Sequence, residues 1–169
     1  MDRVLLSTGN NSWGTPQKFF DRLNQVFRFT LDPCADENNH KCNKFYTVQD
    51  DGLSQNWGGG QVVFCNPPYS RRTKDNPGQE DWIEKCCSES ENNKITAVML
   101  IPARTDTRSQ HEYVFAHAKY ICFVRGRLKF NDGIDPAPFP SEVVVFTQDN
   151  FDKEIKGLSD LGFWIKLKE

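Results

Sequence analysis

The run Val62-Val63-Phe64-Cys65, followed without a break by Asn66-Pro67-Pro68-Tyr69, constrains this chain more than any other segment. Four consecutive apolar residues entered through Gly58-Gly59-Gly60 predict a short buried strand. Two prolines directly after it withhold backbone donors and end the ladder, so a rigid, polar and aromatic loop stands at the strand's carboxyl end. That loop offers two acceptors, the Asn66 side-chain carbonyl and the backbone carbonyl of Pro67, with the Tyr69 ring as a face for stacking. Such a set suits an amino group on a planar ring, which has two N–H donors and a conjugated lone pair. Methyl transfer to that nitrogen needs acceptors that hold it and relieve its growing positive charge. A plain Asn-Pro turn stiffened by Pro-Pro uses the same residues, and the upstream segments decide between the two readings.

Thr15-Pro16 reads as a helix start, with Thr15 as N-cap and Pro16 at the first helical position. Phe19, Phe20, Leu23, Val26 and Phe27 then share one face of a helix from about Pro16 to Phe27. Phe29 to Asp32 reads as a short strand that delivers Asp32 to its end, and Glu37 to Phe45 as a weak helix. Further strands are expected at Ile95 to Ile101 and Tyr120 to Val124, and helices at Asp81 to Ser90 and Thr107 to Ala118. Ser70 to Gln79 reads as a mobile basic loop. Alternation of strands and helices predicts an α/β sheet with crossover connections and a ligand site along the strands' carboxyl ends, where Asp32, Asn66 and Arg104 would lie. Arg127 to Phe130, Glu142 to Phe146 and Phe163 to Leu167 read as strands of an antiparallel hairpin edge.

At 169 residues and 37% apolar composition the chain suits one compact domain over 1–169. Met1 to Ser7 carries no long apolar core and no segment reaches membrane-spanning length, so a soluble, cytoplasmic protein is expected. Six scattered cysteines do not form a disulfide framework. Cys34, His40 and Cys42 lack both a Cys-x-x-Cys pair and a fourth ligand, and no metal is expected. A net charge of −2 excludes a protein that coats nucleic acid through bulk charge. The charges are nonetheless sorted. Asp32, Asp36, Glu37, Asp50 and Asp51 precede the loop, whereas Arg71, Arg72, Lys74, Arg104, Arg108, Arg125, Arg127 and Lys129 follow it. That split suits a cationic cofactor at one end and a polyanion at the other; ordinary solvated charge would look the same without clustering.

Trp13-Gly14-Thr15-Pro16, Leu31-Asp32-Pro33-Cys34-Ala35, Asp51-Gly52-Leu53…Trp57 and Asn66-Pro67-Pro68-Tyr69 together resemble the small phage-type Dam-like family of DNA N6-adenine methyltransferases. Pro102 to Thr107 and Gly126 to Phe130 extend the resemblance, which runs from about Trp13 to Phe146. It implies a compact Rossmann-like class I methyltransferase sheet, S-adenosylmethionine as cofactor, DNA as partner, and no obligate protein partner. On that footing Asn66, Pro67, Pro68 and Tyr69 form the catalytic loop. Trp13, Thr15, Pro16, Asp32, Pro33, Ala35 and Asp51, with Asn66, bind the cofactor. Arg71, Arg72, Lys74, Arg104, Arg108, Arg125 and Arg127 contact DNA.

Asp32 is the first choice for the cofactor's amino group or ribose diol, Thr15 for its carboxylate and Asp51 for its adenine amino group. A turn Asp, a cap Thr and an Asp-Gly turn are the bland readings of the three. The larger methyltransferases place a Gly-x-Gly turn after the Asp-Pro segment, whereas Asp32-Pro33-Cys34-Ala35 continues into Asp36-Glu37-Asn38. Asp32 can therefore mark the ribose-binding strand instead. With no target-recognition domain expected, phosphate contacts would outnumber base contacts and sequence specificity would be short or relaxed. Two other functions use the same features: glutamine methylation in a protein, whose carboxamide nitrogen fits the same loop, and noncatalytic DNA binding.

Overall fold

The computed structural model describes residues 13–169, and the sequence reading of Met1 to Ser7 falls outside them. Its centre is a strand of continuous apolar character. β4, Thr96–Pro102, is buried along its whole length, as is β6, Ser141–Phe146. Runs with no polar alternation belong between layers covered on both faces. The remaining strands are β1 (Leu31–Asp32), β2 (Lys44–Phe45), β3 (Val62–Cys65), β5 (Tyr120–Val124) and β7 (Gly162–Lys166).

All seven join one sheet in the order β2-β1-β3-β4-β6-β5-β7. The first four are parallel. β6 returns antiparallel between β4 and β5, and β7 pairs antiparallel with β5 at the far edge. The expected antiparallel edge is therefore present, with β6 wedged inside it. β1, β3, β4 and β5 all point the same way, so one rim carries Asp32, Asn66 and the segments that follow Pro102 and Val124.

α1, Gln17–Phe27, buries Phe19, Phe20, Leu23 and Phe27 against the sheet. Phe20 meets Phe64 of β3 edge-on with ring centroids 5.1 Å apart. The helix begins one residue later than expected. Pro16 is extended and caps nothing, and Asp132 Oδ1 accepts from the Gln17 N–H at 3.0 Å instead. α2, Gln79–Asn93, starts where the Asp81 carboxylate accepts from the Gly78 N–H, which places a negative group at the helix's positive end. The helix expected over Thr107 to Ala118 is present over 108–117, with a π-helical turn, Gln110–Val114, inside it that leads into its last segment, α3, Phe115–His117. Gln110 Nε2 there donates to Glu142 Oε2 at 3.2 Å in the core. α4 is Asp152–Lys156.

Two expectations fail for local reasons. Glu37 to Phe45 is not a helix, because the Asp36 carboxylate accepts from the Asn38 and Asn39 N–H groups and closes a turn; such side-chain bonds compete with helix formation. The chain then enters β2, with the His40 ring stacked 4.0 Å from Phe45. Arg127 to Phe130 is not a strand. Gly126 turns the chain at φ 74°, and Asn131 and Asp132 adopt φ 59° and 51°, the left-handed region that Asn and Asp tolerate best. No helix among the described residues is long and apolar enough to cross a membrane.

Candidate active site

The sheet ends β3 at Cys65, and the next residue makes the densest polar contact of the rim. Asn66 Nδ2 donates to the Trp13 carbonyl at 2.5 Å and to Thr15 Oγ1 at 3.0 Å. Its Oδ1 accepts from the Tyr69 hydroxyl at 2.6 Å. Flipping the amide would set its oxygen against the Trp13 carbonyl, acceptor to acceptor, so the network fixes its orientation. Thr15 is buried, and its hydroxyl serves Asn66 rather than α1.

The Trp13 segment is itself held from across the sheet. Gly14 N–H donates to Asn131 Oδ1 at 2.8 Å, and the Asn131 N–H returns to the Gly14 carbonyl at 2.7 Å. A Cβ at Gly14 would stand 2.5 Å from Asn131 Oδ1, so only glycine fits this clasp. The Trp13 ring packs edge-on against Phe130 and Phe139 at 5.6 and 5.2 Å.

Asn66, Pro67 and Pro68 line a cavity of 410 Å³ together with Trp13, Thr15, Asp32 and Ala35. Gly14, Cys34, Asp36, Asn39, Lys41, Val48 and Phe64 complete it, none of which had been assigned to the cofactor. The Asp36 turn was the readable signal for that wall. Asp32 is the buried acid of the cavity. Its Oδ2 accepts from the Lys41 N–H at 2.9 Å, and burial raises its pKa to about 6 against the pull of the Lys41 and Cys34 amides. At neutral pH it is ionised, in a wall that no neighbouring side chain fully neutralises.

Pro16, Pro33 and Asp51 do not line this cavity. Asp51 is exposed, at φ 52°, and its carbonyl accepts from Ser54. Its segment buttresses the site from behind: a Cβ at Gly52 would run into the Pro33 carbonyl, and the buried Trp57 Nε1 donates to the Gly52 carbonyl at 2.9 Å. The Asp-Gly turn is therefore structural in this conformation.

Tyr69 also departs from expectation. Its ring is largely buried and meets Phe130 and Phe139 at near-perpendicular angles, with centroids 6.0 and 5.5 Å away, and what remains exposed lines a second cavity. Its hydroxyl is pinned between Asn66 Oδ1 and the Leu100 carbonyl, the latter at 3.1 Å, and burial holds the phenol neutral.

Beyond Tyr69 lies a second cavity, of 390 Å³, lined by Tyr69, Ser70, Arg71, Arg72, Arg104 and Arg108 with Gln79, Glu80, Thr107 and Ser109. The arginines differ. Arg72 is tied to Asp81 at 2.5 Å, and Arg108 to Glu112 at 2.8 Å. Arg71 and Arg104 have no ion pair among the described residues. Lys74, Arg125 and Arg127 stand outside this cavity; all three are exposed, and Arg127 donates to the Ala137 carbonyl. The four-residue loop is thus a partition, with an acid-bearing cavity before it and an arginine-lined one after it.

A family model described as DNA N-6-adenine-methyltransferase (Dam) matches residues 4–158. The DNA N-6-adenine-methyltransferase of Escherichia phage T1 is 34% identical over 97 residues, covering 56% of this chain and 37% of that protein. The protein of the same description from Haemophilus phage HP1 (strain HP1c1) is 34% identical over 98 residues, covering 57% of this chain and 52% of the relative. The chain thus spans about half the length of these relatives or less.

Proposed function

The chain belongs to the DNA N-6-adenine-methyltransferase (Dam) family, and from that premise we propose that it transfers a methyl group from S-adenosylmethionine to the N6 amino group of adenine in DNA. The observation that carries the proposal is the partition at Asn66 to Tyr69 between an acid-bearing cavity and an arginine-lined one. A mixed sheet whose four parallel strands carry the site at their carboxyl rim supports a Rossmann-like class I methyltransferase fold. A DNA substrate puts its work in the cytoplasm, the host's if the gene is phage-borne.

The first cavity fits the donor in size and chemistry, since small-molecule pockets run roughly 300–1,000 Å³. Asp32 is the charge for a cationic amino group or the acceptor for a ribose diol. Trp13, Ala35, Pro67 and Pro68 supply apolar walls, and Thr15 steadies Asn66. When bound, S-adenosylmethionine supplies an electrophilic methyl group on a sulfonium.

The chain's own part is to hold the nucleophile. Asn66 Oδ1 has a second lone pair beyond the one that faces Tyr69, and the Pro67 carbonyl adds another acceptor. Both face the positive charge that grows on an amino nitrogen as it gains a carbon, and such preset acceptors stabilise it without reorganising. The N–H proton becomes acidic only once that bond forms and leaves to water, so no basic side chain is needed. Stacking on Tyr69, worth on the order of 1–3 kcal/mol per base, would come from the side of the second cavity that Tyr69 lines. An extruded adenine can enter there. Arg71 and Arg104, which line the second cavity and have no ion pair among the described residues, would be the cations for phosphates flanking that base, and phosphate contacts without dense base readout give short or relaxed specificity. Incubation with labelled S-adenosylmethionine and DNA should label N6 of adenine; label in protein alone would overturn the proposal.

A further inference from the structure

The second half of α2 carries Cys87 and Glu91, one helical turn apart and so on one face. His117, the last residue of α3, reaches the same place. Its Nδ1 lies 2.5 Å from Glu91 Oε1, and the ligand atoms of all three residues lie within 4.8 Å of one another. A cavity of 330 Å³ opens beside them, lined by Glu91, His117, Lys119, Thr147, Lys168 and Glu169 among others. Adenine methylation has no use for this cluster. Thr147 bonds Thr96 at the start of β4, so the cluster stands at the rim opposite Asn66.

We propose that Cys87, Glu91 and His117 bind one zinc ion, with water from the cavity completing a tetrahedral shell. A thiolate, an imidazole and a carboxylate form a borderline-soft donor set that zinc accepts, whereas magnesium and calcium select oxygen ligands. Three protein ligands and an open position is a recurrent zinc arrangement. The movement required is about 1 Å. With Zn–N and Zn–O near 2.1 Å, tetrahedral neighbours sit about 3.4 Å apart, so the imidazole and carboxylate must separate by about 0.9 Å, and atoms as far as 4.8 Å apart must close by a similar amount. Both reach solvent and can do so, whereas Cys87 is buried and fixed.

Without metal, burial and then Glu91 hold the Cys87 thiol up at about 11. Zinc therefore displaces a proton, and its affinity rises with pH. Lys168 across the cavity opposes the cation and Glu169 offsets it, while Lys119 is occupied by the Asp149 carbonyl at 3.0 Å. The ion would staple α2 to α3.

The test is a titration of the metal-free chain with cobalt(II), followed by zinc. One equivalent of cobalt should produce a thiolate-to-metal charge-transfer band. The band should vanish in Cys87→Ser, and His117→Gln should bind at least about tenfold more weakly. Zinc at a hundredfold excess over its wild-type dissociation constant should raise the wild-type melting temperature by about 5–10 °C, raise that of His117→Gln by no more than about half as much, and leave Cys87→Ser unmoved. Because His117 is at the surface, its variant decides the matter even if Cys87→Ser does not fold. Absence of the band in the wild type, or a cobalt affinity and zinc melting shift in His117→Gln equal to those of the wild type, would overturn the site; the second outcome would put the metal on other thiols such as Cys34 and Cys42.

Discussion

On one side of Asn66-Pro67-Pro68-Tyr69 stand Asp32 and Thr15, buried and already hydrogen-bonded; on the other stand arginines that reach solvent and are only partly ion-paired. Asp32, Thr15 and Asn66 are each held by at least one short hydrogen bond before any ligand arrives. Arg71 and Arg104 are held by no ion pair among the described residues, although Arg72 and Arg108 next to them are. A small ligand rewards groups fixed in advance, because ordering them during binding costs affinity. A polyanion rewards solvated cations, because phosphate contacts act electrostatically and tolerate variable geometry. The same four residues therefore join two recognition problems with different solutions.

The comparison can be broken most sharply at Asp32. Asp32→Ala should weaken S-adenosylmethionine binding by roughly 100-fold, the size expected when a buried charge loses its cationic partner, while DNA affinity holds. Calorimetric titration of each ligand checks this, and equal losses for both would mean that the two cavities are not separate. A smaller effect follows from pH. The free Asp32 carboxyl titrates at about 6, and a cationic donor favours its ionised form, so donor affinity should be flat above about pH 7. It should fall below 6 by up to about tenfold per unit. In Asp32→Asn the dependence should disappear. The smallest effects distinguish the arginines. Arg71→Ala and Arg104→Ala should each lower the slope of log affinity for duplex DNA against log salt by about 0.9. Arg72→Ala should change it less, because Asp81 already neutralises that guanidinium. A larger change for Arg72 would show that the ion pair opens on DNA.

What sequence could show of this molecule was whatever depends on neighbours in the chain. β3, β4 and the apolar face of α1 follow from uninterrupted or helically spaced apolar residues, and the rim position of Asp32 and Asn66 follows from the strands that precede them. The clasp was not legible, because Gly14 and Asn131 are 117 positions apart and nothing local tells which turn will meet which. Thr15 looked like a helix cap because the Thr-Pro pattern fits one; its hydroxyl instead met a side chain arriving from β3. Tyr69 read as an open stacking face because exposure is a tertiary property, set by Phe130 and Phe139. Arg72 looked equivalent to Arg71 until α2 brought Asp81 beside it.

Asn66 stands between the two cavities and, under the proposed function, serves the reaction itself. Labelled methyl transfer to DNA by Asn66→Ala, with donor and DNA affinities titrated on the same preparation, tests it directly. The account predicts a fall in transfer of at least about 100-fold, the loss expected for one transition-state acceptor. DNA affinity should stay within a few-fold, and donor affinity should drop only modestly through Trp13 and Thr15. Near-normal transfer by the folded variant would contradict it.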